Sequence, residues 1–387
     1  MLDFTFHNPA KILFGQKQLE KLGSEIKKYS NRILMVYGGG SIKRNGLYDE
    51  VVSILNQDEI FFVELPGVES NPRIDTVREG IRLCREHNLE FILAVGGGST
   101  IDCSKAIAAG FYYENDPWDF FERKARVTNA LPIGTILTIS ATGSEMNVNT
   151  VISNTDTLEK KGIGSPKLIP KFSILNPVYT YTVPKNHTAA GVVDTMCHIF
   201  EQYFSPTPDT YLQDRMGEAI LKTCIEYGPI AVNDPENYAA RANLMWASTL
   251  ALNGLLSTGK LTDWATHMIE HEVSAIHDTT HGIGLSILAP HWMEYVLDDT
   301  TVDKLSMYAE NVWGITGEDK FEVARQGIAK TAEFFTKSLG LVGSLREMGV
   351  KEENLPRIAE QATANGPLGR FKKLEREDVL QILQKAF

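Results

Sequence analysis

The chain contains no stretch of eighteen uncharged apolar residues, which excludes a membrane-spanning helix of ordinary length. It also lacks a block of lysines and arginines. With 38 basic against 49 acidic residues the formal net charge is -11, a field that repels polyanions and argues against nucleic acid as a partner. Cysteine is sparse: Cys84, Cys103, Cys197 and Cys224 lie far apart without a Cys-x-x-Cys pair, the pattern of reduced core thiols in a reducing compartment. The opening MLDFTFHNPAKILFG has no basic start, apolar block and small-residue cleavage site, so a cytoplasmic location and no membrane partner are expected.

What is present is the composition of an ordinary globular protein, 43% apolar and 22% charged. At 387 residues it exceeds what one core usually serves, and two domains are expected. The first half alternates short apolar runs with helical patterns: RILMVYGGG, a helix from Asn45 to Gln57, FFVEL, a helix from Arg73 to His87, then FILAVGGG. This rhythm predicts a parallel α/β sheet, in which ligands bind at the carboxyl ends of the strands. After Leu175 long helical patterns replace the strands, as in AAGVVDTMCHIFEQYF and RANLMWASTLALNGLL. Pro177 and Pro184 interrupt the crossover, and Asn186 to Thr188 offers a helix N-cap. The predicted architecture is an α/β dinucleotide-binding domain over residues 1–183 followed by an all-helical domain over residues 184–387.

Two constellations in the helical half carry metal chemistry. Asp194 and His198 stand four apart among Val192, Val193, Met196, Cys197 and Ile199, so one helical face carries both without a polar face to absorb them. In DWATHMIEHEVSAIHDTTHG, four of the chain's nine histidines fall within fifteen residues: His267, His271, His277 and His281. The zinc-protease pattern His-Glu-x-x-His is absent, since His271-Glu272 runs on into Val, Ser, Ala and Ile. Three imidazoles with one carboxylate and no thiolate suit Fe(II) or Zn(II), and leave room for a substrate oxygen. Spacing does not say which three histidines bind.

The strand-end turns Gly38-Gly39-Gly40-Ser41 and Gly96-Gly97-Gly98-Ser99 let backbone N–H groups approach a pyrophosphate, although neither is the G-x-G-x-x-G fingerprint. A third segment, PIGTILTISATGSEMN, reads as a polar ligand-lining loop through Thr138, Ser140, Thr142 and Ser144, or as an edge strand before a Ser/Thr-capped helix. The tract LEKKGIG reads as a solvated charge run. Trp246, Trp264 and Met268 are candidates for an apolar pocket, with core packing the blander role for each.

Taken together, GGGSTIDCSKAIA, ATGSEMN, GVVDTMCHIFEQ and HMIEHEVSAIHDTTHG resemble the iron-containing (group III) alcohol dehydrogenase family, above all its butanol dehydrogenase and broad aldehyde reductase branch. The likeness spans nearly the whole chain. It implies a dehydroquinate synthase-like fold, a small aldehyde or alcohol substrate and a homodimer, with the FTFHNPAKILFG segment adding a strand to a partner. By the same resemblance the metal ligands are Asp194, His198, His267 and His281, while His271 becomes a cleft residue, either catalytic, bonding substrate or passing a proton, or a structural support behind the ligands. Cofactor contacts are implied for Gly96 to Ser99, Asp102, Asn71, Thr138, Thr142 and Lys160. Where NAD-preferring relatives often carry an acid, this chain reads Gly38-Gly39-Gly40-Ser41-Ile42-Lys43-Arg44, so NADPH is expected ahead of NADH. Thr280 stands where the family often has Pro, which questions the local loop geometry. The competing readings are a glycerol dehydrogenase, a dehydroquinate synthase-like lyase on a polyhydroxy substrate, and a non-catalytic metal-dependent binding protein.

Overall fold

The structure, a computed structural model, describes residues 1–387. The chain divides into two compact units, one spanning His7–Val183 and the other Pro184–Phe387 together with Met1–Phe6. In chain order the strands are β1 (Lys11–Phe14), β2 (Arg32–Gly38), β3 (Phe61–Val68), β4 (Phe91–Gly96), β5 (Ile133–Leu137), β6 (Asn149–Asn154), β7 (Glu159–Gly164) and β8 (Phe172–Leu175). All belong to the first unit. Six form a parallel sheet in the order β1-β8-β5-β4-β2-β3, while β6 and β7 pair as an antiparallel hairpin.

The apolar runs in β2 and β4 are explained by their interior places in this sheet. Leu34, Val36 and Ile92 enter the core on one face, and Ile33, Met35, Tyr37, Leu93 and Val95 enter the core on the other. A strand buried on both faces has no reason to alternate. From β2 the chain turns aside to β3 and then returns to β4 on the opposite side of β2. Diverging connections of this kind leave the carboxyl ends of β2 and β4 uncovered, which makes a ready dinucleotide crevice.

The two expected helices of this unit occupy Leu47–Gln57 and Ile74–Glu86. The first begins after Asn45, not at it, because Gly46 sits at φ +83° and the Asn45 side chain accepts from Leu47 N instead. The hairpin was not predicted. LEKKGIG lies within it, and the pleat turns Lys160 inward opposite Ser153 while Glu159 and Lys161 pair on the half-buried side at 2.5 Å. The charge-run reading is therefore corrected for Lys160.

The second unit is helical around one core, with helices that include Lys185–Tyr203, Tyr211–Asn233, Tyr238–Ala251, Ala265–His277 and His281–Val296. Its first helix starts ahead of the expected cap. Pro184 is the extended boundary residue, no side chain caps the end, and Asn186 to Thr188 form the first turn. Met1–Phe6 is anchored in this unit, where the N-terminal ammonium donates to Pro208 O and Leu2 N donates to Gly259 O, both at 2.9 Å. All four cysteines are buried and unpaired, and no helix is long and apolar enough to cross a membrane.

Candidate metal and cofactor sites

The Lys185–Tyr203 helix is buried from Thr188 to its end. Such a helix carries polar groups only where something meets them. Asp194, His198 and Glu201 occupy its i, i+4 and i+7 positions, and the Ala265–His277 helix contributes His267, Glu270 and His271. His281 is the first residue of the His281–Val296 helix. Around Asp194 Oδ1 the Nε2 atoms of His198, His267 and His281 stand at 3.7, 3.8 and 3.6 Å. These separations are too long for hydrogen bonds. Each is close to the roughly 3.4 Å edge of a tetrahedral shell with bonds of about 2.1 Å, and Asp194, His267 and His281 also offer atoms all within 4.8 Å of one another, a tighter group that His198 does not join.

Two further observations fit a divalent cation here. Asp194 Oδ1 and His267 Nε2 are buried with no hydrogen-bond partner, a costly state unless an electrophile joins them. Burial opposes ionisation of Asp194, yet the surrounding imidazoles hold its carboxyl well below the usual range. Burial pushes His198 down to about 4 against the pull of Asp194. For His267 burial favours the neutral ring while Asp194 and Glu201 favour a proton, which a bound cation would displace from Nε2.

Two carboxylates that sequence reasoning overlooked lie behind the imidazoles. Glu201 Oε1 accepts from His267 Nδ1 at 2.7 Å, and Glu270 Oε2 accepts from His281 Nδ1. Each stands three residues past a candidate ligand, His198 or His267, so the i, i+3 spacing was the available signal. His271 is buried with its ring centroid 5.5 Å from that of His281, and Glu270, His271 and His281 form a second close donor group. His277 ends its helix beside Asn354, with Nε2 3.3 Å from Nδ2, and joins neither group.

Thr280 leads into the His281–Val296 helix at φ -72°, a value proline itself would take, so its presence leaves the loop geometry unchanged. Trp246 and Met268 are about 40% exposed, which corrects the core-packing reading for both. Trp264 lies beside the donor cluster, its ring 5.3 Å from that of His267, and it adopts φ +71°. A bulky residue in the left-handed region is strained and persists only where its surroundings impose it.

In the first unit, the predicted cofactor residues gather at the carboxyl ends of neighbouring strands. Gly38 ends β2 and Gly39 to Ser41 follow it, with Gly40 at φ +95°; Asn71 follows β3; Gly96 to Ser99 join β4 to the Gly98–Gly110 helix. Thr138, Ser140 and Thr142 follow β5, an interior strand, and the segment continues as a loop with one tight turn at Ser144–Met146. The edge-strand alternative is thereby corrected. Ser99 donates from Oγ to Ser70 O, which ties the turn to the residue before Asn71.

The second glycine turn has a packing requirement as well. A Cβ on Gly97 would stand 2.2 Å from Ile139 Cγ2, and one on Gly98 would stand 2.4 Å from the Thr142 side chain. Glycine lets the loop after β5 close onto the helix N-terminus, where free N–H groups favour phosphate oxygens. Asp102 braces the same loop, accepting from Ser144 Oγ at 2.5 Å through Oδ1 and from Val151 N at 2.8 Å through Oδ2.

The crevice and the donor cluster together define a nicotinamide-linked, metal-dependent oxidoreductase, and comparison with known proteins gives the family. Residues 9–177 match the iron-containing alcohol dehydrogenase family, and residues 188–387 match its C-terminal region. NADH-dependent butanol dehydrogenase A of Clostridium acetobutylicum is 53% identical over 390 residues, with 100% of both chains covered. The NADPH-dependent aldehyde reductase YqhD of Escherichia coli is 42% identical over 370 residues, covering 95% of this chain and 94% of its own. The crystal structure of an NADH-dependent butanol dehydrogenase A from Thermotoga maritima superposes with a TM-score of 0.96 at 41% identity, covering 100% of this chain and 99% of its own. The chain belongs to the iron-containing alcohol dehydrogenase family. It is an oxidoreductase of the alcohol dehydrogenase and aldehyde reductase class, and the glycerol dehydrogenase and dehydroquinate synthase-like readings are not favoured.

Proposed function

We propose that this enzyme interconverts butanal-like aldehydes and primary alcohols, using NADPH ahead of NADH and one divalent ion held by Asp194, His198, His267 and His281. The observation that carries this reading is the set of three imidazole nitrogens at 3.6–3.8 Å from the buried, unpartnered Asp194 Oδ1. Fe(II) and Zn(II) both suit three nitrogens and one oxygen. When bound, the ion supplies a Lewis acid for the carbonyl oxygen and the reduced nicotinamide supplies the hydride.

The reduction consumes aldehyde, NAD(P)H and one proton, and yields alcohol and NAD(P)+. His271, buried beside His281, passes that proton to the alkoxide oxygen. Trp264 forms an apolar wall against the donor cluster, which suits an alkyl chain better than a polyol. Gly38 to Ser41, Asn71, Gly96 to Ser99, Thr138, Ser140 and Thr142 cradle the dinucleotide, with Asp102 and Lys160 beneath them.

Preference for NADPH rests on the turn after β2. No carboxylate occurs from Gly38 to Arg44, whereas Lys43 and Arg44 are exposed and Arg44 Nη1 lies 4.0 Å from where a Gly40 Cβ would stand. A neighbouring acid, Glu64, is occupied by the Tyr37 and Tyr48 hydroxyls at 2.5 and 2.7 Å. A 2'-phosphate therefore meets cations at this turn.

The test is NADPH and NADH oxidation with butanal, glyceraldehyde and dihydroxyacetone, by protein stripped of metal and reloaded with Fe(II) or Zn(II). No turnover in any combination overturns the activity, and faster reaction with the polyol aldehydes than with butanal overturns the substrate class. His267→Ala should lose the metal, while His271→Ala should keep it and turn over at least about tenfold more slowly. Equal metal loss in the two variants would mean the ligands are misassigned.

A further inference from the structure

The start of the Ala265–His277 helix poses a problem that its own sequence does not solve. Trp264 is its boundary residue and makes no side-chain cap. The first amides of a helix have no partner within it, and burial makes them costly. Two buried carboxylates meet this need. Asp263 Oδ1 accepts from Ala265 N at 3.0 Å, while its Oδ2 accepts from Arg370 N and Phe371 N at 2.7 Å. Glu201 comes from a different helix, 66 residues away in sequence, and accepts from Trp264 N at 2.6 Å through Oε2 and from His267 N at 3.1 Å through Oε1. The Thr266 hydroxyl donates to the same Oε1. Negative charge at a helix N-terminus is favoured by the aligned peptide dipoles.

Glu201 does more than a cap requires. A local Ser, Thr or Asp ordinarily serves that purpose, and Asp263 is already in place. Its Oε1 also takes the Nδ1–H of His267 at 2.7 Å. This fixes the tautomer and turns the Nε2 lone pair toward Asp194. Glu201 lies on the same helix as Asp194 and His198, seven and three residues further on. One buried helix thus presents two donors directly and orients a third through a carboxylate.

We propose that Glu201 is a positioning residue that sets metal affinity by holding His267 in the Nδ1–H tautomer, and that the capping bonds keep the helix start where this contact can form. The proposal rests on the metal-ligand reading above. His267 has alternatives without Glu201: its ring is free to change tautomer or to turn Nδ1 toward Asp194, and each loses donor geometry. Glu201 is buried, and its two oxygens take the His267 ring N–H, the Thr266 hydroxyl and the Trp264 and His267 amides, so the carboxylate is held in one orientation against the ring.

The test compares three full-length variants, each stripped of metal and titrated with Zn(II) against a competing chelator, well below the unfolding temperature of all. Glu201→Gln keeps the volume and one acceptor oxygen, but its amide cannot accept from both Trp264 N and His267 Nδ1. Its affinity should fall about 10–100-fold, the usual effect of removing such a support, and its Co(II)-loaded absorption spectrum should shift. Asp263→Asn disturbs the cap without touching His267. It should lower the unfolding temperature of the metal-free protein while leaving Zn(II) affinity within about threefold of wild type. His267→Ala should lose the metal altogether. Wild-type affinity in Glu201→Gln with metal loss in His267→Ala overturns the positioning role and leaves the ligand reading standing. Equal loss in Glu201→Gln and Asp263→Asn reduces Glu201 to a cap and overturns it too. Metal retained by His267→Ala sinks the ligand reading instead.

Discussion

On the proposed cofactor reading, Gly39 is the residue at which NADPH and NADH would be told apart. A Cβ there meets nothing within 4 Å, and its backbone lies outside the left-handed region, so a side chain fits without strain. Gly39→Asp should accordingly fold normally and weaken NADPH more than NADH, because a carboxylate repels a 2'-phosphate and bonds a ribose diol. The ratio of KM values for the two cofactors reads this; an unchanged ratio counts against NADPH preference. Lys105 makes a different point at the same scale. Its ammonium is fully buried and donates to Asn147 O, Asn147 Oδ1 and Asn149 O at 2.8–3.0 Å, which holds the loop after β5. Burial lowers it to about 8, although Asp102 and Glu145 pull the other way. The unfolded chain binds the extra proton between about pH 8 and 10.5, so stability from this group rises across that window. The charge costs roughly 3 kcal/mol below it. Relative to Lys105→Met, the wild type should gain stability from pH 8 to 10, and urea midpoints that move in parallel would contradict this.

At the scale of elements, the donor cluster depends on how closely two helices approach. A Cβ on Gly282 would stand 2.2 Å from Ala190 O, so the His281–Val296 helix packs backbone to backbone against the Lys185–Tyr203 helix. That closeness brings His281 within reach of Asp194. Gly282→Ala should destabilise the protein by about 1–3 kcal/mol, as overpacking does, and weaken metal retention in the same step. Thermal unfolding and metal content measured together check this, and a destabilised protein with full metal content would separate the two effects. Elements also differ in how well sequence revealed them. The strands β2 and β4 were plain because burial on both faces makes a continuous apolar run. The β6–β7 hairpin was not, since polar residues in NTVISN and charged ones in EKKGIG interrupt the apolar pattern, and contacts such as Val151 N to the Asp102 carboxylate are invisible in the sequence.

For the whole molecule, the consequence is linkage between metal and folding. An ion that binds only the folded state stabilises it by about 2.7 kcal/mol at a hundredfold excess over Kd. Removing metal with a chelator should therefore lower the unfolding temperature by about 3 °C if the 387 residues unfold together, and reloading Zn(II) or Fe(II) should restore it. Hydrogen exchange should report the change in the Ala265–His277 and His281–Val296 helices and leave β2, β4 and β5 protected. A chelated protein with an unchanged unfolding temperature and exchange pattern would leave the donor cluster without a structural metal role.

Covalent order by itself determined whatever repeats over a few residues. The i, i+4 pair Asp194 and His198, the histidine cluster, the glycine turns after buried strands and the change from α/β to helical character near Pro184 all follow from local period and composition. Resemblance to a family then chose among four histidines, a choice that spacing had left open. Only tertiary structure brought His267 and His281 to Asp194, placed Glu201 against His267, 66 residues on, buried Lys160 and set His277 apart beside Asn354. The reason is physical. Side-chain period is a property of one helix or strand, whereas a donor cluster depends on packing between elements that are distant along the chain.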